Sequence, residues 1–150
     1  MSLSLEERVI HFIALAERCK FLEAIEQFYE EDAVIQDNEG PQRVGLGHIL
    51  AHERKLMAGV TIHTSRADSF LVDGDRVAIN WIYEYSDAMG RRHRLNEVAY
   101  QEWRDGKIVR ERLYFDPAQM RVEITPEGWP FERLEPGAPN ADSSRRAVVA

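Results

Sequence analysis

Hydrophobic positions in the first 60 residues recur at helical spacing. Apolar residues repeat from about Leu5 to Cys19, after a serine that suits a helix N-cap and with two glutamates in the first turn. Shorter runs with the same period cover about residues 22–29 and 47–57. The pattern predicts three helices, with a brief strand at 33–35 and a turn at 37–41 between the second and third helices.

The period changes to two after Gly59. Four strand-like runs follow, separated by short connections that contain glycine, as tight hairpins do. They cover about residues 60–72, 76–86, 92–103 and 107–115. Such a meander must bury one face, and the three helices are its cover. The predicted fold class is therefore α+β, with three N-terminal helices packed on a curved antiparallel sheet.

The composition changes near the C-terminus, where proline, glycine and charged residues become frequent. We expect one domain over residues 1–135 and a flexible tail over residues 136–150. A length of 150 residues is enough for one domain with a sizeable core.

Charge and cysteine content narrow the classes of function. A formal net charge of −7 argues against a nucleic-acid partner, which requires a clustered excess of Lys and Arg. Cys19 is the only cysteine, so no internal disulfide can form. No run approaches the roughly 18 apolar residues of a membrane span, and the N-terminus does not read as a signal peptide. We expect a cytoplasmic protein without a membrane partner.

Strand alternation assigns one set of side chains to the face that the helices cover. Its members are Val77, Ile79, Trp81, Tyr83, Tyr85, Leu95, Glu97, Ala99, Val109, Glu111, Leu113 and Phe115. Two carboxylates, Glu97 and Glu111, thus point into an otherwise apolar and aromatic cavity. Burying an unpaired carboxylate is costly, so each is a candidate general acid or base. The alternative is that an Arg or Tyr neutralises them at a wet mouth of the cavity.

Other side chains are weaker candidates. The aromatic residues at 81, 83 and 85 can stack on a ligand ring or simply form core. Leu56 lies on the apolar face of the third predicted helix, and His63 begins the first long strand and can reach the pocket. His48 and His52 lie four residues apart, but their order is not that of the HExxH motif, so we expect no metal.

Four segments resemble the nuclear transport factor 2-like superfamily, and more narrowly its SnoaL-like branch. They are FLEAIEQFYEEDAVIQDNEG, GLGHILAHERKLM, HTSRADSFLVDGDRVAINW and EVAYQEWRDGKIVRERLYFDP, and the resemblance covers about residues 5–120. It implies a cone-shaped barrel, often a homodimer packed through the outer sheet face, where Ile82, Val98 and Tyr100 would lie. It also implies a small, apolar or ring-containing ligand and no cofactor.

Individual branches of the superfamily imply different sites. Against the steroid isomerases, Asp37 falls where their proton-abstracting aspartate lies. Their oxyanion-hole tyrosine falls near Ile13 and their second oxyanion acid near Ala99, so two of three parts are missing. Asp37 can equally be a turn-forming residue at the end of its strand.

The epoxide hydrolases offer a poorer match. The positions of their Arg and two Asp residues fall on Trp81, Tyr83 and Leu113, so their water-activating set is absent.

Two functions remain open. The first is a cofactor-independent isomerase, cyclase or dehydratase. In it, Asp37, Glu97 or Glu111 abstracts a proton next to a carbonyl of an apolar ring substrate, and Tyr83 or His63 stabilises the enolate. The second is a binding or assembly module of the same fold, which holds a ligand without chemistry.

Overall fold

The computed structural model describes residues 2–125. The helices in this range are α1 (Leu5–Glu17), α2 (Phe21–Phe28) and α3 (Leu46–Ala58), with a 3-10 helix at Pro117–Arg121. The strands are β1 (Tyr29–Asp37), β2 (Gln42–Val44), β3 (Thr61–Asp73), β4 (Arg76–Ser86), β5 (Arg92–Arg104) and β6 (Lys107–Phe115). The α+β fold class is confirmed. The predicted boundary at residue 135 and the tail lie outside the described residues.

Helix α1 begins directly after Ser4, the residue predicted to be its N-cap. Ser4 Oγ accepts a hydrogen bond from the Glu7 amide at 3.2 Å, and Glu7 Oε2 accepts one from the Ser4 amide at 2.7 Å. This capping box satisfies two free backbone donors at the helix start. The helix ends at Glu17 because the chain turns at Cys19, whose φ of 60° is left-handed. No helix within residues 2–125 is long and apolar enough to span a bilayer.

The sheet has the strand order β2-β1-β6-β5-β4-β3. Strands β3 to β6 form the predicted antiparallel meander. Strand β1 joins it differently from the prediction, since it runs parallel to β6, with Ile35 opposite Glu111. The sheet is therefore mixed, and it curves without closing into a barrel. Sequence alternation could not reveal this pairing, because β1 and β6 are separated by almost half of the chain.

One β-bulge changes which side chains of β6 face the helices. Glu102 pairs with Arg110 but Trp103 pairs with Ile108, so Val109 is an extra residue in β6. As a result Ile108 is fully buried and Val109 only partly so. The prediction that Val109 points to the concave face is wrong, whereas Glu111 beyond the bulge keeps its predicted side.

The core fills one half of the concave face. Phe12 of α1 packs edge-on against Phe28, Trp81 and Trp103, with ring centroids 5.6–6.4 Å apart. Ile79 of β4 and Ile108 of β6 are fully buried beside this cluster. The other half of each of these strands leads away from the cluster and lines a cavity.

Candidate functional site

A cavity of about 700 Å³ lies between the helices and the concave face of the sheet. Its volume falls within the range of small-molecule sites in proteins. Ten residues predicted for the site line it: Asp37, Leu56, Trp81, Tyr83, Tyr85, Leu95, Glu97, Glu111, Leu113 and Phe115. Eight of these ten lie on β4, β5 and β6 and were predicted by period-two alternation.

Three predicted residues lie elsewhere. His63 is exposed, and its Nε2 lies 2.6 Å from Ser86 Oγ. The β3–β4 register shifts between Ile62 and Thr64, which leaves His63 unpaired and turns Ile62 into the cavity instead. Ile13 and Ala99 are buried in the core and do not line the cavity. They lie in the packed half of the fold, where the helices contact the sheet.

Glu111 is held in position by two donors. Tyr29 Oη donates to Oε1 at 2.6 Å, and Gln101 Nε2 donates to Oε2 at 2.6 Å. Trp103 Nε1 donates in turn to Gln101 Oε1 at 2.9 Å. Burial raises the pKa of Glu111, while the two hydrogen bonds oppose that effect. Both of its carboxylate oxygens are thus already engaged.

Asp37 forms an ion pair with an arginine that sequence reasoning did not select. Arg43 Nη1 donates to Oδ2 at 3.2 Å and Nη2 to Oδ1 at 3.1 Å, a two-point contact across the β1–β2 hairpin. No sequence signal indicated Arg43, because β2 is a three-residue strand without a clear pattern. Asp37 lines the cavity, but both of its oxygens face the guanidinium.

Glu97 differs from these two acids. It is 7% exposed, lines the cavity, and has no hydrogen-bond or ion-pair partner within residues 2–125. Burial, and then the negative charge of Glu111, raise the pKa of Glu97 to about 8. A buried carboxyl without a partner is costly, and such groups concentrate at functional sites.

Glu53 is another cavity acid, which the sequence analysis did not select. It projects from α3 and has no hydrogen-bond or ion-pair partner in the described part of the chain. Burial, and then Glu111, raise its pKa to about 7. The helical spacing of Ile49, Glu53 and Leu56 places all three on the cavity side, and this spacing was the signal that could have identified Glu53.

Tyr83 supplies a hydroxyl donor near Glu97. Its ring stacks on Trp81 with centroids 5.8 Å apart and meets Phe21 edge-on. Burial, and then the charge of Glu97, raise its pKa well above the ordinary value, so the hydroxyl keeps its proton. Within residues 2–125 the Tyr83 hydroxyl has no hydrogen-bond partner.

The described residues contain no group of three or more His, Cys, Asp or Glu side chains that could hold a metal ion.

The geometry defines a class of protein: an α+β fold with an acid-lined cavity between its helices and its curved sheet. The SnoaL-like domain family matches residues 9–111, and the chain belongs to this family. No curated protein sequence matches the chain.

Solved structures share the fold at low sequence identity. A provisionally named SnoaL-like polyketide cyclase from Mesorhizobium loti is 22% identical over 75% of this chain and 99% of its own, with a TM-score of 0.69. A provisionally named isomerase from Bacillus subtilis is 19% identical over 79% and 94%, with a TM-score of 0.68. An LEH-like epoxide hydrolase from M. tuberculosis is 17% identical over 78% and 86%, with a TM-score of 0.64.

Proposed function

We propose that the protein is a cofactor-independent enzyme of the isomerase, cyclase or dehydratase type. In this proposal Glu97 removes a proton next to a carbonyl group of a small, largely apolar ring compound. The observation that carries it is the Glu97 carboxyl, which is buried, faces a cavity of about 700 Å³ and has no partner among the described residues 2–125. Asp37 and Glu111 lack this freedom, because donors already occupy both oxygens of each.

Tyr83 completes the proposed chemistry. Tyr83 pairs with Leu95 and Trp81 pairs with Glu97, so the hydroxyl and the carboxyl lie diagonally on one face of two neighbouring strands. A neutral hydroxyl can donate to the carbonyl oxygen as negative charge develops there. Glu97 takes the proton from carbon, the enolate forms at the Tyr83 hydroxyl, and Glu97 returns the proton to the product.

The protonation state of Glu97 sets the expected pH dependence. A general base acts only when ionised, and the pKa of Glu97 is about 8. Turnover should therefore rise with pH up to about 8 and then level off. Tyr83 keeps its proton over this range because its own pKa is raised.

Hydrogen exchange tests the proposal without knowledge of the product. Enolisable polycyclic and monocyclic ketones are incubated with the protein in D₂O, and NMR measures deuterium uptake at the α-carbon. Glu97→Gln should slow uptake by a factor on the order of 10²–10⁴. Glu102→Gln is the matched control, because Glu102 lies on the outer face of the same strand. Loss of exchange in Asp37→Asn with full exchange in Glu97→Gln would assign the base to Asp37 instead.

The second candidate function is a binding module that carries out no chemistry. The engaged state of Asp37, Asp87 and Glu111 favours it, since three of the five cavity acids already accept hydrogen bonds. A ketone that raises the melting temperature but shows no α-deuterium uptake would support this function over the enzyme.

We further propose a homodimer through the outer face of the sheet. Val98, Tyr100 and Tyr114 are 39–45% exposed there. Val98 pairs directly with Tyr114, and the guanidinium of Arg112, the partner of Tyr100, lies over the Tyr114 ring, so these side chains form one aromatic and cationic surface across β5 and β6. Exposed aromatic surface of this kind is typical of interfaces.

A further inference from the structure

Five acids from five different segments line the cavity. They are Asp37 of β1, Glu53 of α3, Asp87 directly after β4, Glu97 of β5 and Glu111 of β6. Arg43 is the single arginine or lysine that lines it among the described residues, and it is engaged with Asp37. The negative charges of Glu111, Asp37 and Glu53 all act on Glu97. The cavity therefore has acidic groups in excess of its own cations.

The sheet register places an aromatic ring on each side of Glu97. Trp81 of β4 is its direct partner on one side, and Phe115 of β6 is its direct partner on the other. Directly paired residues hold their Cβ atoms about 4.5–5.5 Å apart. Both rings line the cavity, as the Glu97 carboxyl does. A buried carboxyl flanked by two aromatic residues has the parts of a site for an organic cation, in which aromatic rings and a carboxylate surround the charge.

We propose that the ligand of this cavity is an apolar ring compound that carries a protonated or quaternary amine, with its cationic nitrogen beside Glu97 between Trp81 and Phe115. The inference deepens the proposed function by naming its substrate class as an amino ketone. The ammonium group replaces the proton that Glu97 holds in the empty cavity. The proton leaves to solvent, and the carboxylate that remains is the base that accepts the proton from carbon.

Cation binding then depends on pH in a defined direction. Below the pKa of about 8, Glu97 must lose a proton for the cation to bind, so affinity for the cation rises with pH. Glu53 responds in the same direction near pH 7. The other titratable or charged groups around the cavity are Tyr29, Asp37, Arg43, Tyr83 and Glu111, with His52, Tyr85 and Asp87 also in its lining.

A matched pair of probes tests the proposal by calorimetry on the full chain. Benzyltrimethylammonium carries a permanent charge, and neopentylbenzene has the same shape without it. We expect the cation to bind on the order of tenfold more tightly than the neutral probe at pH 8.5. Its dissociation constant should rise by at least about tenfold between pH 8.5 and pH 6.5, while that of the neutral probe stays constant. Because a quaternary nitrogen has no proton to lose, the change in the dissociation constant with pH reports on titration of groups in the protein.

Variants assign the effect to the site. Glu97→Gln should bind the two probes about equally, and its cation affinity should lose most of its pH dependence. Glu102→Gln should behave as the wild type. Equal affinity for both probes in the wild type, a pH-independent cation affinity, or an unchanged preference in Glu97→Gln would each overturn the proposal.

The outcome separates this inference from the proposed enzyme. If the protein binds the cationic probe more tightly but catalyses no α-deuterium uptake into any ketone, including amino ketones, the proposed ligand class is retained and the proposed enzyme is refuted. If the protein catalyses deuterium uptake into neutral ketones but binds both probes equally, the proposed enzyme is retained and the proposed ligand class is refuted.

Discussion

Replacing Glu97 with Gln should change how the free energy of unfolding depends on pH. In the unfolded chain a glutamate titrates near 4.5, whereas burial, and then the charge of Glu111, raise the pKa of Glu97 to about 8. Between these values the folded protein holds a proton that the unfolded chain has lost. Stability therefore falls as pH rises through this interval, and Glu97→Gln removes that loss.

The size of the effect follows from the two pKa values. Each pH unit in the interval contributes about 1.4 kcal/mol, so the whole interval contributes at most about 5 kcal/mol. Relaxation around the newly charged carboxylate reduces this figure, because Glu97 lies at a cavity and not in close-packed core. We expect the free energy of unfolding of Glu97→Gln to be roughly 2–5 kcal/mol larger than that of the wild type at pH 8 and equal to it near pH 4.5.

Urea unfolding at several pH values from 4.5 to 8.5 measures the difference. Glu31→Gln is the matched control, because Glu31 is exposed on β1 and its replacement should leave the pH profile parallel to that of the wild type. Parallel profiles for Glu97→Gln and the wild type would refute the reasoning. They would mean that Glu97 ionises in the folded protein near its ordinary pKa, which would also remove it as a tuned base.

Two further predictions concern packing and assembly. Gln101→Leu removes a donor to Glu111 and leaves two buried polar groups without partners, so it should lower stability by about 2–5 kcal/mol. Gln36→Leu is the control, because it removes one half-buried hydrogen bond to Gly40 and should lower stability by about 1 kcal/mol or less. If thermal unfolding shows equal losses of stability in the two variants, the hydrogen bonds of Gln101 are not a stabilising buried network. Tyr100→Asp should convert the proposed dimer to monomer in light scattering, and a wild type that is monomeric would refute the dimer.

Local patterns predicted the elements well, because helix and hairpin signals act over a few residues. The predicted strand 76–86 matches β4, and 107–115 matches β6. Strand β1 was predicted as residues 33–35 only, since its first half is polar and partly exposed. Because these side chains are polar, the sequence shows no strand pattern in this half. Parallel pairing with β6 stabilises the strand.

Bulges set the limit of side-chain prediction. Alternation held along β4 and β5, where Trp81, Tyr83 and Glu97 all reach the cavity. It failed at Val109, where one extra residue reverses the parity, and a second register shift leaves His63 unpaired and outside the cavity. A bulge depends on the register of the neighbouring strand, which no local pattern records.

The sequence by itself determined the α+β class, the concave face of the long strands and the place of Glu97 and Glu111 on that face, since each of these follows from short-range periodicity. The tertiary structure decided which of the three predicted acids has no partner within residues 2–125. Asp37 and Glu111 look no different from Glu97 along the chain, yet Arg43, Tyr29 and Gln101 reach the first two and not the third. Partners of a buried charge are set by contacts between distant segments, and those contacts determine its protonation and its chemistry.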